Sequence, residues 1–327
     1  MFKQVKKYLG DIKRKNRYVT NAYKNSKSYE RFYLENSASL GKSDDSRVLR
    51  RAIIISSHVL EKGLSHTDFR PGFGKQAIYE LQQNLHSYLL CPNIDQFAVD
   101  NAVNLLFLYH EMNRINGFDD SDYLDLSTLN SNNKDLLSPY DLRELQSIDL
   151  QSFINIAEAR HSVRCYETDG VDIDKEIFES VIKVANTAPS ACNRQATKVY
   201  VVTDRSVFHR IEEIQIGCKG FGRHASAFLF VTSDLTLYSR NEEKLPIFDA
   251  GIYTMNLLYS LLAHGLYACT LNASFPGDDL MKIYEATGIP KDVAINGLIA
   301  VYKLDEHTKV KIAASPRRTA SETLTIL

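Results

Sequence analysis

The chain has 327 residues, of which 44% are hydrophobic and 24% are charged, and these values are typical of a globular protein with a sizeable core. A formal net charge of −1 gives the whole molecule no general attraction for nucleic acid or anionic lipid. The five cysteines are odd in number and contain no Cys-x-x-Cys pair, which argues against a disulfide framework and a structural zinc site and favours a reducing, cytoplasmic environment.

The N-terminal segment is strongly basic. The first 27 residues carry nine Lys or Arg side chains against a single acidic residue, Asp11. We interpret residues 1–30 as a basic arm, either a solvated, partly helical tail or a weak contact with an acidic membrane surface. No apolar stretch follows the charges as in a secretory signal, and no run approaches the roughly 18 apolar residues of a membrane span.

Residues 31–150 are predicted to form a mainly helical region. Apolar residues recur at helical spacing over residues 47–62, and further helices are expected at about 74–90 and 94–115. The segment 118–139 is rich in Asp, Ser and Asn, which predicts a linker.

One stretch of the helical region combines side chains that could ligate a metal ion with a glycine-rich turn. His58 and Glu61 share a helix face, and the turn Arg70-Pro-Gly-Phe-Gly74 follows. A metal site needs more His or carboxylate ligands at fixed spacing than this stretch offers. Tight packing of a helix on a turn, which the glycines permit, is therefore the favoured interpretation.

From residue 151 the pattern changes to helices that alternate with short β-branched segments. Strands are predicted at 198–203, 227–232, 267–271 and 295–303, and helices at about 174–188, 206–216 and 247–264. The last of these helices is apolar on several faces, which indicates a central buried helix. The pattern predicts an α+β fold with a sheet flanked by helices, preceded by the helical region.

Two segments of residues 151–327 contain residues suited to a phosphorylated, planar ligand. The first, Arg160-His161-Ser162-Val163-Arg164, places two guanidinium groups and a hydroxyl within five residues, and such groups match phosphate oxygens. Two arginines at a helix end are, taken alone, more often surface charges. The second, Pro189-Ser190-Ala191-Cys192-Asn193-Arg194-Gln195, joins small residues to amides that can bond a heteroaromatic edge, although a capped loop has the same composition.

Two further segments follow. His264-Gly265-Leu266 ends a helix and leads into the strand before Asn272, and Pro316-Arg317-Arg318 supplies late cationic residues. In kind, order and spacing the four segments resemble the nitroreductase family over roughly residues 152–327. The resemblance implies a nitroreductase-like mixed sheet, FMN as cofactor, NADH or NADPH as reductant, and a homodimer with the flavin at its interface.

The resemblance also implies roles for individual positions. Arg160 and Ser162, with His161 in the same segment, would hold the FMN phosphate, helped by Arg317 or Arg318. Arg164 would reach the ribityl chain or the pyrimidine side of the flavin, and the backbone at Asn272 and Ala273 would approach flavin N5 and O4. The partner subunit would supply three residues of the second segment, Pro189, Ser190 and Asn193. No residue is assigned a catalytic role, because hydride transfer is the chemistry of the flavin itself.

The chain departs from the family pattern in three places. Family members often carry glycine where this chain has Ala273 or Ser274. Many also have a lysine under the flavin, and either Lys219 or Arg223 stands in that region here. The stretch 233–246 is short, which leaves little material for a lid over a substrate.

Three functional interpretations stay open. The first is an FMN-dependent oxidoreductase that passes hydride or electrons from NAD(P)H to a small organic acceptor. The second is a non-redox or weakly redox accessory protein of a biosynthetic complex, since residues 58–65 and 70–74 are similar to the leader region of nitroreductase-like proteins tied to surface polysaccharide synthesis. The third keeps the flavin but dehydrogenates a biosynthetic intermediate. Nucleic acid is not expected as a partner.

Overall fold

The computed structural model describes residues 2–42, 44–66, 68–129, 149–275 and 278–327. Up to residue 129 the described chain is helical, as predicted. Its helices are α1 (Phe2–Asn36), α2 (Ser46–Leu64), α3 (Lys75–Leu89) and α4 (Gln96–Ile115). Asp45 caps α2 by accepting a bond from the Arg47 N–H at 2.9 Å, and Asp95 caps α4 by accepting from the Ala98 N–H at 3.3 Å.

Helices α2, α3 and α4 share one apolar core. On α2 and α3 the buried members recur three, four or seven residues apart, so each of these two helices buries a single face, whereas α4 buries the consecutive residues 102–106. The core includes Leu49, Ile53, Leu60, Ile78, Leu81, Leu85, Val99, Val103, Leu106 and Tyr109. The segment 118–129, the described part of the predicted linker, is fastened to this core by Gln82, which donates to the Tyr123 carbonyl and accepts from the Asp125 N–H, both at 2.8 Å. Residues 130–139 lie outside the described residues, so the linker and the domain boundary there stay predictions.

The end of α2 meets the turn after it at very close range, as predicted for this stretch. A Cβ atom built on Gly63 would lie 2.0 Å from the Phe73 ring. That ring packs edge-on against Tyr109 at 5.2 Å between centroids, and the Tyr109 hydroxyl donates to the Phe73 carbonyl at 2.7 Å. The ring is therefore fixed from two sides, and only glycine fits at position 63.

From residue 149 helices and strands alternate. The elements are α5 (Leu150–Ala159), α6 (Lys175–Ala185), β1 (Thr197–Val202), α7 (Arg205–Ile214), β2 (Ala227–Ser233), α8 (Leu245–Ala263), β3 (Tyr267–Leu271), α9 (Asp279–Thr287), β4 (Ala294–Tyr302) and the short α10 (Ala320–Thr323). The predicted strands and helices all lie within a few residues of these bounds. The predicted α+β fold is confirmed.

The four strands form one sheet in the order β1-β2-β4-β3, and each neighbouring pair is antiparallel. A parallel bridge between Ser162 and Ala268 joins the segment after α5 to β3, so the sheet is mixed. The segment that carries Arg160 and Arg164 is therefore fixed along the outer edge of the sheet.

Both faces of the sheet are covered. Phe228 and Phe230 of β2 point into a core with α7 and α9, and the alternate residues Leu229 and Val231 point into a core with α6 and α8. Helix α8 buries Leu257 and Leu261 completely, which confirms the predicted central helix. Its N-terminal end differs, because Ile247 and Phe248 are exposed there.

The N-terminal helices lie against residues 233–242, which follow β2. Tyr33 of α1 is fully buried beside Leu235 and Tyr238, and its hydroxyl donates to the Ser239 carbonyl at 2.6 Å. In α2, the Arg50 guanidinium pairs with Asp234 and the Arg51 guanidinium lies 3.2 Å from Glu242. The contact combines apolar burial with partly buried ion pairs.

Candidate cofactor site

The first predicted segment lies at the C-terminal end of α5, beside β3. The Arg160 N–H closes the last turn of α5 on the Ile156 carbonyl, and the Val163 N–H donates to the Ala268 carbonyl at 2.9 Å. Arg160 and His161 border a small cavity of about 40 Å³, together with Ile312 of the C-terminal tail. Within the described residues, neither Arg160 nor Arg164 pairs with a carboxylate.

Arg164 points inward from the same segment. Its guanidinium carbon lies 5.9 Å from the centroid of the Phe221 ring. Burial raises the pKa of the neighbouring Cys269 thiol, and the Arg164 charge opposes that rise. A cation is thus held beside β3, with no acidic partner among the residues that the structure describes, and there it can stabilise an anionic group of a ligand.

The third segment places Asn272 and Ala273 directly after β3. Gln215 donates to both the backbone carbonyl and the side-chain oxygen of Asn272, and the Ser274 N–H donates to the same side chain at 3.2 Å. From Ala268 to Asn272 the chain advances four residues, or about 13 Å. Ser162 of the first segment therefore lies beside the start of β3, and Asn272 of the third segment lies just after its end.

The fourth segment is exposed. The Arg317 guanidinium donates to the Ser315 carbonyl at 2.5 Å, and Arg318 lies 3.4 Å from Glu322. In the described chain, the polar contacts of Arg317 and Arg318 stay within their own tail. Only Ile312, five residues earlier, reaches the cavity beside Arg160.

The second segment is a strained loop held by α8. Three of its non-glycine residues have left-handed backbone conformations, namely Cys192 (φ 51°), Asn193 (φ 51°) and Gln195 (φ 49°). The Ser190 hydroxyl accepts from the Gln195 N–H at 2.9 Å, and the Ala191 N–H donates to the Asp249 carboxylate at 3.1 Å. Such strain persists only where surrounding contacts determine the loop.

Asp249 is the anchor of that loop. It is buried, and it also accepts a bond from the Tyr238 hydroxyl at 2.8 Å. The first segment instead lies near Leu258, nine residues further along α8, which is about 14 Å along the helix axis. Within one chain the structure does not bring Pro189, Ser190 and Asn193 to the first segment.

Arg194 links this loop to the N-terminal helices. Its buried guanidinium binds Glu242 through both nitrogens, at 2.7 and 3.1 Å, and stacks on Tyr238 at 5.2 Å. Burial raises the pKa of Glu242, but Arg194, the Ser239 N–H and Arg51 outweigh it and bring that pKa to about 2. Sequence reasoning missed this pair, because its partners are 48 residues apart and no local spacing relates them.

Of the two cations considered for the flavin region, one is already neutralised. Arg223 pairs at 2.9 Å with Glu212, a buried carboxylate that also accepts from the Gly220 N–H. Lys219 is exposed. The assignment of a flavin contact to either residue stays a prediction, and the geometry favours Lys219.

A larger cavity, of about 400 Å³, lies where the N-terminal helices meet the second segment, and we call it the junction cavity. Its lining includes residues of α2, α4, the second segment and β1, and residues next to α4, α6 and β2, among them Arg50, His58, Glu61, Asp95, Asn101, Asn186, Asn193, Gln195, Lys198 and Asp234. Its N-terminal wall was not predicted, because residues distant in sequence form it.

The described residues contain neither a cluster of metal ligands nor a membrane-spanning helix. The described part of the chain contains no group of three or more His, Cys, Asp or Glu side chains arranged to hold a metal ion. Among the helices described, none has the length and apolar character needed to cross a bilayer. The five cysteines are unpaired.

Comparison with known proteins identifies the relatives of the C-terminal part. Residues 157–219 match the model of the nitroreductase family, and this range contains both the first and the second segment. A protein of Archaeoglobus fulgidus, named for NADH dehydrogenase and NAD(P)H nitroreductase activities, is 28% identical over 162 residues, which are 48% of this chain and 88% of the relative. These matches confirm the predicted family resemblance.

Solved structures of similar proteins also align with about half of the chain. A nitroreductase-like protein of Streptococcus mutans is 17% identical, with 55% of this chain and 100% of that protein covered and a TM-score of 0.44. An FMN-dependent nitroreductase of Clostridium difficile is 20% identical, with 53% and 98% covered and a TM-score of 0.42.

Proposed function

We propose that this chain, whose C-terminal part carries a nitroreductase-family domain, is an FMN-dependent oxidoreductase. It takes hydride from NADH or NADPH and passes electrons to a small organic acceptor. The family match and the names of the relatives support the oxidoreductase class.

One observation carries the proposal of FMN. The family match contains the first segment, and in that segment Arg160 and Arg164 form no ion pair within the described residues. An unpaired, half-buried guanidinium is costly unless an anion joins it. The phosphate of FMN is such an anion, and the Ser162 hydroxyl adds a hydrogen-bond donor beside it.

The remaining contacts follow the same chemistry. Arg164 would stabilise negative charge on the flavin or its ribityl chain, and the backbone at Asn272 and Ala273 would contact the edge of the ring. Arg317 or Arg318 would join the phosphate through movement of the exposed tail. When bound, FMN supplies the hydride and electron chemistry, and the residues of the chain bind and orient it.

The predicted homodimer is supported by two features. Pro189, Ser190 and Asn193 lie at the opposite end of α8 from the first segment, so a second subunit is needed to bring both segments to one flavin. Helix α5 buries none of its residues and exposes Phe153, and the N-terminal end of α8 exposes Phe248. Exposed apolar faces of this kind mark contact surfaces.

We also propose a cellular environment for the enzyme. Five unpaired thiols fit a reducing cytoplasm, and the basic arm provides a weak contact with anionic membrane surfaces. Nucleic acid is not proposed as a partner.

The cofactor assignment is tested by replacing Arg160 with alanine. We expect Arg160→Ala to weaken FMN binding about ten- to hundredfold, because a charged hydrogen bond to phosphate is lost. Binding of riboflavin, which has no phosphate, should change less than about twofold. Arg210→Ala, which removes an exposed arginine paired with Glu213, is the matched control. Quenching of flavin fluorescence measures both affinities.

Redox activity is tested separately. The purified protein should show the visible spectrum of bound FMN, and anaerobic NADPH should bleach it. If FMN is bound but neither NADPH nor NADH reduces it, the interpretation as an accessory protein is favoured instead. A protein that binds neither FMN nor riboflavin would refute the flavin proposal.

A further inference from the structure

We propose that the junction cavity binds the electron acceptor, and that this acceptor is a neutral molecule with amide, carbonyl or hydroxyl groups. The inference rests on the proposed flavin function and names the substrate class. It gives the N-terminal helices a role at the site.

The position of the cavity links it to the flavin contacts. One wall comes from the second segment, including Asn193, which is expected to contact FMN. The opposite wall comes from α2 and α4, including His58 and Asn101. A ligand in this cavity therefore touches the proposed flavin loop and the N-terminal helices together. The volume of about 400 Å³ lies within the range of small-molecule sites.

The charges around the cavity largely cancel. Arg50 pairs with Asp234 and lies 3.7 Å from Asp95, and His58 lies 3.2 Å from Glu61. The Lys198 ammonium lies 5.0 Å from the centroid of the Tyr200 ring. A strongly charged ligand would have to compete with these contacts, so the cavity favours a ligand without net charge.

The groups best placed for recognition are carboxamides. Four of them line the cavity: Asn101, Asn186, Asn193 and Gln195. Each carboxamide offers a donor and an acceptor, which suits ligand amides, carbonyls and hydroxyls. The Asn186 oxygen accepts from Tyr253 at 2.8 Å, so its amino group is the part that faces a ligand's acceptor. The left-handed backbone at Asn193 and Gln195 holds two of these amides in the strained loop.

The test compares two acceptors that undergo the same nitro-group reduction, 4-nitrobenzamide with a carboxamide and 4-nitrotoluene without one, and each variant is compared with the parent protein on the same acceptor. Full-length protein with bound FMN is reduced anaerobically by NADPH and mixed with either acceptor, and the return of flavin absorbance is followed. In each turnover two electrons and two protons convert the nitro group to a nitroso group and water, while the reduced flavin is oxidised.

The decisive variant is Asn101→Leu, since Asn101 lies in the N-terminal wall and outside the proposed flavin contacts. We expect the half-saturating concentration of 4-nitrobenzamide to rise about tenfold, as for the loss of one hydrogen bond, with that of 4-nitrotoluene unchanged. FMN content and the rate of reduction by NADPH should stay as in the parent protein. The control is Gln96→Leu, which makes the same kind of replacement on α4 at an exposed residue that bonds Asp100 and does not line the cavity.

The outcomes distinguish a failure of the cavity assignment from a failure of the flavin function. Equal reoxidation of parent and Asn101→Leu by 4-nitrobenzamide would overturn the cavity assignment and leave the flavin function intact. An equal loss with both acceptors, or in the reduction by NADPH, would assign Asn101 a structural role and also overturn it. Absence of FMN, or FMN that neither NADPH nor NADH reduces, would overturn the proposed function together with this inference.

Discussion

Glu242 joins three parts of the chain through one carboxylate. It binds Arg194 of the second segment, Arg51 of α2 and the N–H of Ser239. Burial raises the pKa of this carboxyl, but the hydrogen bonds and charges of these partners outweigh burial, so the ionised form is strongly favoured and the pKa is about 2. The loop that carries the proposed flavin contacts therefore depends on a charge provided just before α8.

Replacement of this carboxylate should change how stability depends on pH. The pKa of Glu242 is lower in the folded chain than the ordinary 4.5, so its contribution is fully present above about pH 4.5 and is lost as the pH falls towards 2. Glu242→Gln should lower the free energy of unfolding by up to about 3 kcal/mol at pH 7 and by much less at pH 2. Urea unfolding at pH 7, 5, 3 and 2 measures the difference.

Glu213→Gln is the control for this experiment, because the ion pairs that Glu213 forms in the described chain are exposed ones on α7. Its difference from the parent protein should stay small at every pH. If the Glu242→Gln difference is the same at pH 2 as at pH 7, the carboxylate does not have the depressed pKa described above.

At the residue level, the sequence supports proposals for residues within one compact segment but not for pairs between distant segments. Arg160, Ser162 and Asn193 could be proposed as ligand contacts because each lies in a compact segment whose residue types match a phosphorylated ligand, and their roles stay predictions. The Arg194–Glu242 pair and the Asn101 side of the junction cavity depend on contacts between segments 48 or more residues apart. Only folding brings such groups together.

At the level of elements, the contact between the end of α2 and the following turn allows a direct test of packing. Gly63→Ala should destabilise the protein by about 1–3 kcal/mol, because its Cβ would overlap the Phe73 ring and Tyr109 keeps that ring in place. Phe73→Leu removes the overlapping ring atoms. The double variant should therefore be more stable than the sum of the two single losses predicts. Thermal or urea unfolding of all four proteins gives this coupling, and simple additivity would show that the overlap is not the cause of the loss.

Element positions followed well from sequence, whereas their arrangement did not. Helical spacing placed α2 to α4, and β-branched runs placed the four strands, because these patterns reflect which face of an element is buried. The order β1-β2-β4-β3 and the bridge from Ser162 to Ala268 depend on pairing between distant segments. Helix α5 was only implied by the segment before Arg160, since none of its residues is buried in the described chain.

At the scale of the whole molecule, the exposed end of α8 should hold two subunits together. Phe248 is 63% exposed beside the anchor Asp249, so burial against a second subunit would stabilise both the dimer and the flavin loop. Phe248→Glu should convert dimer to monomer and reduce bound FMN at least tenfold. Light scattering coupled to size-exclusion chromatography, with flavin absorbance recorded on the same peak, measures both.

Tyr79→Glu provides the matched control, because Tyr79 is 52% exposed on α3, away from α8. It should remain dimeric and retain flavin. A Phe248→Glu protein that stays dimeric with full FMN content would place the subunit contact elsewhere.

The burial of Tyr33 against Leu235 and Tyr238 limits how this protein can be divided or can evolve. A fragment starting at residue 149 would expose these aromatic and aliphatic side chains and leave Glu242 without Arg51, so it would tend to aggregate. Substitutions on either side of the contact are then acceptable mainly when the other side changes with them. In this chain the helices and the sheet are thus expected to unfold together as one cooperative unit.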